Sequence, residues 1–182
     1  MTITIEATPT PSANKPTART YEVVGELSRL IERLPKSAQI ELRRAEAKNG
    51  TRTMAFARLC VEPPLENLLR EGPENERDER EMRWSVIAGI IASCGHGSSP
   101  LGSALVAANV SETRVLRLLR SREARLWGEA RRVCEQITKS GRAVDLTSIA
   151  RLILSDGESF DESVRVQIAQ DYYGALKREK SV

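Results

Sequence analysis

From Tyr21 nearly to the end of the chain, apolar side chains recur at steps of three and four, and that period decides the fold class. Val23, Val24, Leu27, Leu30, Ile31 and Leu34 form the first such series, the spacing that gathers side chains on one face of an α-helix. No stretch alternates apolar and polar residues with β-branched enrichment, so no sheet is expected. Aromatics make up only 4% of the 182 residues, so the core must be built from Leu, Ile, Val and Ala, which suit helices better than sheets. The expectation is an all-α protein of about nine helices arranged as two small packed bundles.

Turn and cap residues punctuate the pattern. Pro35 ends the first helix, and Ser37 is placed to cap a second that runs through IELRRAEAK to Asn49-Gly50. A third begins near Thr53 and breaks at Pro63-Pro64, with LENLLR as a short helix after it. EGPENERDER is a solvated loop grading into an acidic helix start; the helix then turns apolar through Met82, Trp84, Val86, Ile87, Ile90 and Ile91. GHGSSP is the expected boundary between an N-terminal bundle (21–95) and a C-terminal bundle (100–180). Beyond it come LGSALVAA, then ETRVLRLLRS with Ser111 as its cap, then a long amphipathic helix from Glu123 to Lys139 that stops at Gly141. Asp145 is placed to cap DLTSIARLILS and Asp161 the last helix. Residues 1–20, rich in Thr, Pro and Ala, read as a flexible tail.

Whole classes of function are missing their signatures. His96 is the single histidine, in a Gly/Ser-rich segment that reads as an exposed loop, and Cys60, Cys94 and Cys134 are widely spaced without a CxxC pair. No zinc constellation follows, and the cysteines fit buried apolar roles in a reducing cytoplasm. There is no GK[ST] phosphate loop, no GxSxG and no HExxH. The carboxylates lie mostly at helix starts and in the acidic loop, where capping and solubility explain them. No catalytic residue, metal or cofactor is expected. The N-terminus lacks a signal peptide's charged and apolar regions. The longest apolar run, SVIAGIIASC, is about half the length of a membrane span. A cytoplasmic location is expected, with no membrane partner.

Charge is sorted along the chain although the formal net charge is only +3. Glu62–Glu81 holds eight acidic and three basic side chains, whereas Ser111–Arg142 holds nine basic and four acidic. On the helix after Ser111, Val115, Leu118 and Leu119 form the inward stripe, and Arg114, Arg117 and Arg120 fall together on the outer side. The next helix adds Arg131 and Arg132, with Lys139 and Arg142 at its end. Arginine forks bind phosphate oxygens in a bidentate way that lysine cannot. Arg43-Arg44 is a second basic pair; the two diverge by about 100° on a helix, which lets one face a partner while the other packs or pairs with Glu41 or Glu46.

Three readings of these cations remain open. One is a phosphate-gripping surface. Another is a solvated face neutralised in part by Glu123, Glu129 and Glu135, or one that meets an acidic protein. The third comes from LGSALVAANVSETRVLRLLRS, whose small residues, Asn-Val-Ser turn and following polar start look like a helix-turn-helix. A transcriptional regulator of that kind would place Ser111, Glu112, Thr113 and Arg114 in a major groove.

The order of segments discriminates further. ELRRA, an apolar helix ending in a Gly-rich loop, LGSALVAANVSETRVLRLLRS, EARRVCEQI, AVDLTSIARLIL and VRVQIAQDYY together resemble the CasB family, the small subunit of the type I-E CRISPR complex Cascade. The resemblance runs from about Tyr21 to Lys177. It implies a non-catalytic subunit of two helical bundles. Its partners would be a second copy arranged head to tail, the Cascade backbone and large subunits, the guide RNA, and target and non-target DNA. Its implied role is to stabilise the R-loop by holding the displaced strand and supporting the guide RNA–target duplex. Carried over, the family's basic positions fall on Arg43 or Arg44, on Arg114 and Arg117, and on Arg131 and Arg132; charge alone adds Arg120, Lys139 and Arg142. Tyr21 and Leu146 stand where many members carry tryptophan.

Overall fold

The computed structural model describes residues 16–44, 53–71 and 73–181. Among them are ten α-helices and no strand. In chain order these are α1 (Pro16–Arg33), α2 (Lys36–Arg44), α3 (Met54–Cys60), α4 (Leu65–Arg70), α5 (Arg77–Cys94) and α6 (Leu101–Ala107). Then follow α7 (Glu112–Arg120), α8 (Glu123–Lys139), α9 (Thr147–Leu154) and α10 (Asp161–Glu179). The all-α expectation holds, with α1 starting at Pro16, ahead of the periodic residues. The expected stop at Asn49-Gly50 lies outside the described residues.

The centre of the molecule is α5. Trp84 through Ala92 are all buried, because a helix that is apolar on every side can only be stable when neighbours cover it all round. Here α1, α2, α8 and α9 pack on it. Gly89 allows α2 to come close; a Cβ there would lie 3.1 Å from the Leu42 carbonyl oxygen. Buried apolar residues from both sides of the loop after α5 join one continuous core. That loop is pinned: Gly97 N–H donates to Val144 O at 2.8 Å, and Asp145 N–H to Ser99 O at 2.8 Å.

The closest helix pair is α6 on α10, and it depends on Gly102. A Cβ at that position would sit 2.4 Å from the backbone carbon and oxygen of Asp171. Alanine is the better helix former by ~1 kcal/mol, yet forcing backbones apart in a packed core costs about 1–3 kcal/mol. Gly102→Ala should therefore lower thermal stability. Gly128→Ala on α8, where a Cβ meets nothing within 4 Å, should raise it. Melting curves of the two variants check both signs.

Three expected caps differ in the structure. Ser111 occupies the cap position of α7 but makes no side-chain cap bond. Phe160 holds the cap position of α10, with Asp161 the first helical residue. The Asp161 carboxylate is drawn inward by Arg165 Nε at 2.7 Å and by Arg122 at 3.2 Å, charge-assisted contacts that engage both of its oxygens. Likewise Ser37 is the second residue of α2 rather than its cap. Asp145 does accept Thr147 N–H at 2.8 Å, and Thr53 caps α3 by accepting Phe56 N–H at 3.0 Å.

Candidate nucleic-acid interface

Arginine serves two purposes in this fold, and only one is legible from periodicity. Among the described residues, five guanidinium groups reach across the fold to carbonyls at or near the C-termini of other helices, where backbone acceptors lack partners and the dipole is negative. Arg43 Nε donates to Ala92 O at the end of α5 (2.7 Å). Arg80 reaches Leu69 O on α4 (3.4 Å). Arg83 reaches Leu154 O on α9 (2.6 Å) and Asp156 O (2.7 Å) beyond it. Arg131 donates to Arg43 O at the end of α2 (2.5 Å). Arg165 donates to Leu119 O (2.5 Å) and Ser121 O (3.1 Å) where α7 ends.

The adjacent arginine pairs are thereby split. Arg43 turns toward α5, whereas Arg44 is exposed without a partner among the described residues. Arg131 turns toward α2 and lies 3.9 Å from Glu135. Arg132 points outward, 67% exposed, with the buried Glu129 carboxylate 2.8 Å from its guanidinium. The 100° offset between neighbours on a helix is the whole reason.

The outward set forms one face on α7 and α8. Arg114 Nη1 donates to Gln136 Oε1, which places the first turn of α7 beside the C-terminal half of α8, so the two helices run antiparallel. Arg117 and Arg120 follow on the exposed side of α7. Along α8, Arg125, Arg132, Gln136 and Lys139 share a stripe at steps of seven, four and three. Arg117, Arg120, Arg125, Lys139 and Arg142 are exposed with no side-chain partner among the described residues. Of the acids in this stretch, Glu129 is buried and Glu112 accepts from the Tyr173 hydroxyl at 2.6 Å.

Other side chains weighed for chemistry have structural uses. His96 is not an exposed loop residue: it is 13% exposed, and its Nδ1 accepts Leu146 N–H at 3.2 Å. The loop pinned against residues 144–146 carries it inward. None of the three cysteines is in a disulfide, and Cys94 and Cys134 are buried. Burial pushes the Cys94 thiol pKa up and the Cys134 thiol pKa well above its usual value. Among the described residues, no group of three or more His, Cys, Asp or Glu is placed to hold a metal ion. No described helix is long and apolar enough to cross a membrane.

Nothing in the fold favours a helix-turn-helix at the Asn109–Ser111 turn: among the described residues, the two flanking helices make their main contacts with other helices. Helix α6 packs on α10, and α7 on α8. Glu112 and Arg114, which would have to read bases, are bonded to Tyr173 and Gln136.

A family model for the CRISPR-associated protein Cse2 matches residues 38–173, from α2 into α10. The chain belongs to the Cse2 family. This is the CasB family of type I-E Cascade small subunits, as the ordered segments implied. No curated protein and no solved structure matches the chain. All nine basic residues singled out, from Arg43 to Arg142, lie inside the Cse2 match, as do the α7–α8 face and all five arginines that reach helix ends.

Proposed function

We propose that this Cse2 chain stabilises the R-loop of a type I-E CRISPR surveillance complex, without catalysing a reaction itself. The α7–α8 face grips the displaced non-target strand by its phosphates and supports the guide RNA–target duplex. Arg114, Arg117, Arg120, Arg132, Lys139 and Arg142 make the contacts, with Arg44 as an outlying one. Arg43 and Arg131 hold helices in place rather than touching the strand. A second copy arranged head to tail, the backbone and large subunits, and the guide RNA complete the assembly.

The supporting observation is the outward array of cations on α7 and α8 in a member of this family. Such an array reads charge and spacing, not base identity. Keeping a displaced strand from re-annealing requires no more, since guide pairing supplies the sequence recognition. If about four to six phosphates are neutralised, log K for a single strand should fall with log salt at a slope near −3 to −4. Titrating unrelated single strands at several salt concentrations checks this. Tight binding confined to one palindromic duplex would instead show a regulator.

A further inference from the structure

The cationic track along α7 ends at a concavity rather than on open surface. Leu119, Val166 and Ala169 floor a groove of about 350 Å³ between α7 and α10. Arg120, Arg122, Glu162 and Arg165 complete its lining. Arg165 is fully engaged by Asp156, Asp161 and two carbonyls, so it is wall and not ligand. Asp156 and Asp161, which also approach Arg122 at 3.7 and 3.2 Å, are buried behind that wall. Arg122 remains half-exposed with donors to spare, and Arg120 is exposed without a partner among the described residues. Val166 is 45% exposed although aliphatic. An aliphatic surface beside two arginines offers the face of a nucleobase an apolar contact and its phosphate two guanidinium partners.

We infer that this groove takes one unstacked base of the strand held by the α7–α8 face. The base lies on Leu119, Val166 and Ala169, and its phosphate on Arg120 and Arg122. Arg114, Arg117 and Arg120, one turn apart on α7, lead the backbone to it. A base in a duplex is stacked and paired and can enter only after extrusion, so the groove favours the displaced strand over double-stranded DNA. The inference rests on the strand-gripping reading and adds a base contact to it.

The test compares an oligodeoxythymidine with a fully abasic strand of equal length and identical phosphates. Binding to the full chain is followed by fluorescence anisotropy. Wild type should prefer the thymidine strand by about fivefold, the gain from taking roughly 40 Å² of apolar surface out of water. Val166→Asp, at an exposed position, should remove that preference, and its added carboxylate beside Arg120 and Arg122 should also weaken binding of both strands. Glu162→Gln, which removes the acid from the rim, should tighten binding of both strands. Equal affinity of wild type for the two strands, or a preference that survives Val166→Asp, overturns the groove while the phosphate grip stands. Failure of wild type to bind either strand overturns both.

Discussion

Replacing Arg165 by Ala should lower the melting temperature by roughly 10 °C, the largest stability loss expected from any single arginine. Arg165 is 4% exposed. It joins Asp156 (2.9 Å), Asp161 (2.7 Å) and the two carbonyls where α7 ends. The same Asp156 accepts the Glu123 N–H at 2.5 Å, and Glu123 has a positive φ of 50°, a backbone conformation that side chains other than glycine's disfavour. One guanidinium thus fastens the turn into α8, the loop before α10 and the end of α7. Removing it leaves two buried carboxylates with only the half-exposed Arg122, and breaking such a cluster costs about 3–5 kcal/mol. Because Arg122 still compensates in part, the lower end applies. The diagnostic control is Arg165→Met combined with Asp156→Asn and Asp161→Asn. If uncompensated charge is the cause, this triple variant should regain much of the loss; equal melting temperatures for the two variants would place the cost in packing instead.

This cluster also marks where sequence reasoning stopped. The helices follow from local information, because a 3.6-residue period, prolines and glycines act within one turn of themselves. α5 shows this well: its apolar run is about half the length of a membrane span and its helical spacing is plain in the sequence. The partners of arginines are a different matter. Arg83 meets carbonyls some seventy residues away, and Arg131 meets one 88 residues away. Nothing in local composition distinguishes these from Arg117. The 100° rule showed that Arg43 and Arg44 must diverge, but the inward member was settled only by α5 lying beside α2. Asp161 has the same lesson: a carboxylate at a helix start reads as a cap until Arg165, one turn on, is seen to be buried with it.

The second large effect separates the two classes of arginine. Replacing Arg114, Arg117, Arg120 and Arg132 by Ala should reduce single-strand affinity by roughly three orders of magnitude at ~50 mM salt, with the deficit shrinking as salt rises toward ~1 M. Each lost phosphate contact removes about 0.7 from the salt slope, so four contacts flatten it by about 3. Arg114 and Arg132 already carry intramolecular partners, Gln136 and Glu129, so they should contribute less to the slope than Arg117 and Arg120. Stability should fall only modestly: Arg114, Arg117 and Arg120 lie on the exposed side of α7, whereas Arg132→Ala takes the partner from the buried Glu129 carboxylate. The opposite pattern is expected for Arg43→Ala with Arg131→Ala. That variant loses two carbonyl contacts at helix ends, each worth roughly 1–2 kcal/mol, and should melt earlier while its folded fraction keeps the wild-type slope. Measuring slope and melting temperature on both variants makes the division decisive. A flattened slope in the Arg43 and Arg131 variant would move the strand onto the α2–α8 side, and an unchanged slope in the fourfold variant would remove it from α7 altogether.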